Sequence, residues 1–267
     1  MMSFLFYFVH PSKYNVFRET INILKEKGHS VDILINSKDV LEDLVRNEGW
    51  QYTNIFPEGR KIEALPRLLG AIYNALRTVI RLQRCIGKNH YDLFVTDDLL
   101  VVNGRMNRVA SILFQDDDVS YVPETLLLMF FANHVFSPSV TNIGVFHNKG
   151  LQFFGYKELG ALHPRRFVPD EAVVRRVHNS VRPFYLIRLV SLKALHDKDK
   201  KGLSNEDVHH LIRVLSAHGR VYICAERELT TDLEPYRLNI NPNDLPHFLH
   251  YTSFLISDSQ TMSAEAG

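Results

Sequence analysis

The chain has 267 residues, 45% of them hydrophobic, with 31 Lys and Arg against 30 Asp and Glu for a formal net charge of +1. A chain of that size and apolar content buries a substantial core, which excludes a disordered protein, and the balanced charge excludes one whose main work is neutralising nucleic-acid phosphates. The two cysteines, Cys85 and Cys224, lie far apart, which excludes a disulfide framework and a zinc knuckle and fits a reducing, cytoplasmic compartment.

The apolar run over residues 4–9 lacks a basic leader and a small-residue cleavage site, so it reads as a buried strand rather than a signal peptide. It is continuous rather than alternating, as a parallel strand covered on both faces requires. Val16, Phe17, Ile21 and Leu24 then keep a helical period, Gly28 supplies a left-handed stop, and residues 31–35 give the next strand, completing a βαβ unit. Val40, Leu41, Leu44 and Val45 predict a second helix ending near Gly49, before a short strand at 52–56. A long crossover at 62–86 leads to a strand at 93–96, and a strand at 111–114, a helix at 125–132 and a strand at 134–136 are expected to complete the first sheet. This alternation predicts a doubly wound parallel sheet. The apolar stretch 126–132 is much too short to cross a bilayer.

Residues 148–169 are rich in Gly, Pro and Arg and mark a boundary between two Rossmann-like domains, 1–170 and 171–267. The second repeats the pattern: a strand at 184–190, a helix at 205–218 whose N-cap Ser204 bonds the Asp207 amide, and a strand at 221–225. A short helix at 245–250, a strand at 254–257 and a helix opening at Ser259 follow. That last helix has barely two turns and its strand lacks a further crossover, so the second domain is expected to be truncated.

Several residues carry candidate chemistry. His10, just past the first strand, suits a general base at neutral pH, or a loop histidine capping the sheet. Asp97 and Asp98 follow one parallel strand, and Asp116, Asp117 and Asp118 another. The strand-end rule turns all five toward one cleft, for acid or base work, for a cation, or for helix capping by Asp98 and Asp118. Around the long crossover, Arg60, Lys61, Arg67, Arg77, Arg81, Arg84 and Lys88 accompany Leu65, Leu68, Leu69, Ile72, Leu76, Val79 and Ile80. This is the pattern of a helix lying on anionic lipid or of a solvated face. In the boundary segment, Tyr156, Lys157, His163, Arg165 and Arg166 suit an interdomain cleft or simple linker polarity. The turn from residue 256 to 265 opens a helix on small polar residues, which suits a diphosphate or plain N-capping by Asp258 or Ser259.

The stretch SDSQTMSAEAG resembles the phosphate-binding segment of non-hydrolysing UDP-N-acetylglucosamine 2-epimerases. That resemblance implies diphosphate contacts from Ser259, Gln260 and Thr261 and a ribose contact from Glu265, although Gln260 and Thr261 replace a glycine pair. In the loop RLVSLKALHDKDKKG, with Arg188, Ser191, His196, Lys200 and Lys201, it implies that His196 faces the sugar nucleotide. Over nearly the whole chain, FVHPSKYNVFRETINILKEKGHSVDILI, YKELGALHPRRFVPD, RLVSLKALHDKDKKG and ISDSQTMSAEAG resemble the prokaryotic domain of unknown function family 354. This implies a GT-B-like fold and a setting in surface-polysaccharide assembly. The expectation is a glycosyltransferase using a nucleotide-diphosphate sugar and a lipid-linked or glycan acceptor, without an obligatory metal or cofactor. Its catalytic candidates are His10, Asp97, Asp117 and His196. A sugar-nucleotide epimerase and a non-catalytic binder are the alternatives.

Overall fold

The computed structural model describes residues 1–36, 41–60, 66–191 and 202–267, so Val40, Lys61, Leu65, His196, Lys200 and Lys201 lie outside the described residues. The chain forms two compact units, Met1–Ala161 and Leu162–Gly267.

In the first unit the elements run β1 (Ser3–Phe8), α1 (Pro11–Glu26), β2 (Ser30–Ile35), α2 (Leu41–Asn47), β3 (Thr53–Asn54) and α3 (Arg67–Ile86). They continue with β4 (Leu93–Thr96), α4 (Leu100–Asn107), β5 (Ala110–Phe114), α5 (Thr125–Phe131), β6 (His134–Pro138) and β7 (Gly150–Phe153), with α6 (Leu159–Leu162) at the division between units. All strands pair in parallel in the order β3-β2-β1-β4-β5-β6-β7.

The continuous apolar run of β1 supplies both faces of this sheet. Phe4, Phe6 and Phe8 pack with Tyr14, Phe17 and Ile21 of α1 and with Leu41, Leu44 and Val45 of α2. Leu5 and Tyr7 pack on the opposite side with Leu82 and Ile86 of α3 and Leu100 of α4. Each such side chain contributes about 1.5–3 kcal/mol when fully buried, and the two-residue period of a strand makes a double-sided core from one short segment. Gly28, at φ +77°, ends the first crossover in the left-handed region expected of it.

Three expectations need correction here. The long helix spans Arg67–Ile86, so Arg60 is not part of it. α4 fills the connection between β4 and β5, where the residue pattern predicts no element. β6 does not end the sheet, because β7 pairs with it from within the Gly- and Pro-rich stretch.

The second unit comprises α7 (Glu171–Arg175), β8 (Phe184–Leu189), α8 (Asn205–Leu215), β9 (Arg220–Ala225), α9 (Leu245–Tyr251), β10 (Phe254–Ser257) and α10 (Gln260–Ala266). Its parallel sheet has the order β10-β8-β9. Ser204 caps α8 as expected, accepting from the Asp207 amide at 3.1 Å while Asp207 accepts from the Ser204 amide at 2.9 Å, a reciprocal capping box. Among the described residues no helix is long and apolar enough to cross a membrane.

Candidate functional site

In the first sheet the strand order reverses between β1 and β4, and in open parallel sheets ligands bind outside the carboxyl ends of the strands at such a reversal. Asp97 and Asp98 follow β4 at this point, and successive side chains there turn to opposite faces. Asp97 falls on the α1 side. Its carboxyl feels the Lys13 ammonium from the first turn of α1 and the carboxylates of Asp98 and Asp116. Asp98 falls on the α3 side, where it pairs with Arg60 and accepts from the Leu99 amide at 2.7 Å.

Lys13, Asp116 and Lys157 form a linked ionic cluster. Lys13 Nζ pairs with Asp116 Oδ1, and Lys157 Nζ lies 2.7 Å from Asp116 Oδ2. Lys13 is almost wholly buried and also stands over the Phe114 ring, 4.8 Å from its centroid. Burial pushes the Asp116 carboxyl up, but the two ammonium groups and their hydrogen bonds outweigh it and hold the group below the usual carboxylate range.

Asp97 stands differently. As a residue it keeps some exposure, yet its Oδ1 is enclosed and has no hydrogen-bond partner. Burial, reinforced by Asp98 and Asp116, pushes its carboxyl up to about 7 against the downward pull of Lys13 and of its own backbone. A carboxyl in that range exchanges a proton near neutral pH, as acid or base work demands. On the other face, burial pushes the Tyr7 phenol well above its ordinary value, with Asp98 adding to the effect and Arg60 opposing it. The Tyr7 hydroxyl is enclosed and has no hydrogen-bond partner, like Oδ1 of Asn36 at the end of β2.

The remaining first-unit candidates are placed elsewhere. His10 is the N-cap of α1, its Nδ1 accepting from the Ser12 amide at 3.2 Å and lying 2.9 Å from Ser12 Oγ. Asp117 is exposed, and its carbonyl accepts from Gln115 Nε2 at 2.6 Å. Asp118 ties two loops together by accepting from the Asn142 amide at 2.6 Å, rather than capping a helix. Asp97, Asp98 and Asp116 therefore sense one another and Asp117 acts on Lys157, whereas Asp118 is taken up by the Asn142 amide. Among the described residues no group of three or more His, Cys, Asp or Glu is placed to hold a metal ion. No local pattern marks Lys13, since its partner stands 103 residues away, and Lys157, expected to serve an interdomain cleft or simple linker polarity, pairs instead with Asp116.

In the second unit the candidates gather at the carboxyl ends of β8 and β10. Arg188 pairs with Glu226 and donates to Cys224 Sγ at 3.2 Å, while its Nε is enclosed and unpartnered. The Ser191 amide lies 3.4 Å from Glu226 Oε2. Asp258 Oδ1 accepts from the Val190 amide at 2.7 Å, tying the ends of β8 and β10, and its Oδ2 is enclosed without a partner. Ser259 is the N-cap of α10, its Oγ accepting from the Met262 amide at 3.2 Å, and Ser257 Oγ accepts from the Ser259 amide at 2.9 Å. Gln260 is exposed in the first turn, and Thr261 and Glu265 are half-buried along the same short helix. His163, Arg165 and Arg166 lie in an exposed turn, where His163 Nδ1 accepts from the Arg165 amide at 3.1 Å.

No protein-family model and no curated protein matches the sequence, so kinship with domain of unknown function family 354 rests on resemblance alone. Solved structures do match. MnaA of S. aureus in a co-structure with UDP is 12% identical, with TM-score 0.62 over 98% of this chain and 75% of that one. UDP-GlcNAc 2-epimerase from Neisseria meningitidis bound to UDP-GlcNAc is 9% identical, with TM-score 0.63 over 99% of this chain and 80% of that one. The spinosyn forosaminyltransferase SpnP is 17% identical, with TM-score 0.58 over 99% of this chain and 76% of that one. At these identities the likeness is one of architecture, and with its two parallel sheets the chain has the GT-B-like α/β fold of these epimerases and glycosyltransferases.

Proposed function

We propose that the chain acts on a nucleotide-diphosphate sugar as a glycosyltransferase, with Asp97 as the proton acceptor for an acceptor hydroxyl. The observation that carries this reading is the Asp97 carboxyl at the strand-order reversal of the first sheet, with its Oδ1 enclosed and without a hydrogen-bond partner, pushed up to about 7 by burial. His10 is the weaker choice because its Nδ1 is engaged in capping α1, and Asp117 is exposed at the loop surface.

In the second unit, Ser259, Gln260 and Thr261 are assigned to the diphosphate and Glu265 to the ribose, with Arg188, Ser191 and His196 beside the sugar nucleotide. Support comes from the positions of Arg188, Ser191, Ser259, Gln260 and Thr261 at or just beyond strand ends, with Glu265 further along α10, and from neighbours of this fold bound to UDP, UDP-GlcNAc and thymidine diphosphate. Departure of the nucleotide is assisted by hydrogen-bond donors and positive charge around the diphosphate. A lipid-linked or glycan acceptor in surface-polysaccharide assembly completes the reading.

Asp97→Asn is expected to lower kcat by about 10²-fold or more, the usual contribution of a positioned acid or base, with the KM for the sugar nucleotide little changed. A base must be deprotonated to work, so kcat/KM of the unaltered protein rises with pH through about 7. An Asp97→Asn protein with the same rate and the same limb would remove Asp97 from the reaction. The same carboxyl favours a second reading, epimerisation of the sugar, because a group exchanging its proton near neutrality can also take and return one at a sugar carbon. Incubation with UDP-, GDP- and CMP-sugars separates the readings: a transferase yields a new glycan, an epimerase an isomeric nucleotide sugar, and a binder only a raised Tm.

A further inference from the structure

α3 turns its inner side to the core through Leu82 and Ile86, with Thr78 also fully buried. Its outer side carries Leu69, Ile72, Tyr73, Leu76 and Ile80, between 48% and 58% exposed. Their spacing of three and four residues places them on one stripe along the helix. Exposed apolar side chains scattered singly need no explanation, but a continuous stripe of five marks a surface that meets something apolar.

The charges around the stripe indicate what that is. From residue 66 to residue 91 the sequence has Arg67, Arg77, Arg81, Arg84 and Lys88 and not one Asp or Glu, in a chain whose net charge is only +1. Arg77 and Arg81 stack on Phe56 and pair with Glu58, leaving Arg84 and Lys88 exposed at the end of the stripe. The neighbouring helices continue the pattern. α4 packs beside α3 and α5 beside α4; neither contains a carboxylate. Met106, Leu127 and Phe130 project from them at about 60% exposure, with Arg105 exposed as well.

We propose that the outer face of α3, continued by α4 and α5, docks the protein peripherally on an anionic lipid bilayer. The apolar stripe enters the acyl boundary, Tyr73 sits at the headgroup level, and Arg84 and Lys88 meet the lipid phosphates. A symmetric second copy is a poor occupant, because it would bring the same cations against these. The proposal stands on this helix layer alone and does not depend on the reading of Asp97.

The test is co-sedimentation of the full chain with vesicles of phosphatidylglycerol and phosphatidylcholine, against vesicles of phosphatidylcholine only, at low and high salt. Binding to the anionic vesicles that weakens with salt is the expected result. Leu76→Glu is expected to reduce partitioning at least about tenfold, and Arg84→Glu to reduce it about fivefold or more. Both positions are exposed, so an unchanged Tm shows that the variants fold, and Asp97→Asn should sediment like the unaltered chain. Failure to bind anionic vesicles at low salt overturns the proposal, as does equal binding by Leu76→Glu. A concentration-dependent dimer in light scattering that Leu76→Glu abolishes also overturns it, by showing that a second copy covers the face.

Discussion

Asp97 and Asp98 are neighbours in sequence, yet they belong to different electrostatic neighbourhoods. Asp98 lies against Arg60, whereas Asp97 has an enclosed oxygen with no donor and feels Lys13 only as a nearby charge. Lys13 therefore tunes Asp97 without being bonded to it, its own partner being Asp116. Replacing it by a neutral side chain of similar length, Lys13→Met, removes the attraction that favours the Asp97 carboxylate. The Asp97 pKa then moves further above about 7, and the rising limb of the kcat/KM profile shifts to higher pH by roughly one unit or more. Lys13→Arg keeps the charge and should leave the limb near its original place, so comparing the two variants' pH profiles isolates the electrostatic effect from packing.

Strand patterns were largely legible in the sequence, because a parallel strand covered on both sides favours a mainly apolar run: β1 and β4 have one, and β2 and β8 are each broken only by a single charged residue, Asp32 and Arg188. α4 escaped because its helical face is not marked by polarity. Asn103 and Gly104 are buried along with Leu100 and Val101, and Asn103 is held by the Val79 carbonyl and the Gln83 side chain at 3.0 Å each. β7 escaped because its residues are mostly exposed or half-buried, which leaves no apolar signature. Of the site, the strand-end position of Asp97 could be read from the sequence, whereas its pairing environment depends on contacts from α1 and β5 that no local pattern records. At the start of β9, Gly219 shows how tightly the second sheet is joined. An added Cβ would stand 2.2 Å from the Pro183 carbonyl oxygen, where the Arg220 amide bonds that same carbonyl at 2.9 Å. Gly219→Ala is expected to lower stability by about 2 kcal/mol or more, a typical cost of overpacking, measurable as a reduced midpoint in urea.

Across the molecule, each unit closes its own core. Among the described residues, the first unit's clusters draw on residues up to Phe153, and those of the second begin at Val173. A cavity made in one core should therefore loosen that unit selectively. Phe248, fully buried against Phe184 and Met262, is the sharpest probe, since Phe→Ala in a core costs about 3–5 kcal/mol. In Phe248→Ala, hydrogen exchange is expected to quicken at the amides of β8, β9 and β10 while those of β1 and β4 keep their protection. Equal loss of protection in both sheets would show that the two cores unfold as one.

The opposite leanings of the two aspartates make the span of β4 a matter of parity. One residue inserted between Phe94 and Asp97 would exchange their surroundings, offering the Arg60 side the wrong carboxyl and leaving the Lys13 side with the other. Two inserted residues would restore the original assignment while displacing both groups outward by about 7 Å. Homologous chains that vary here are therefore expected to gain or lose residues in pairs.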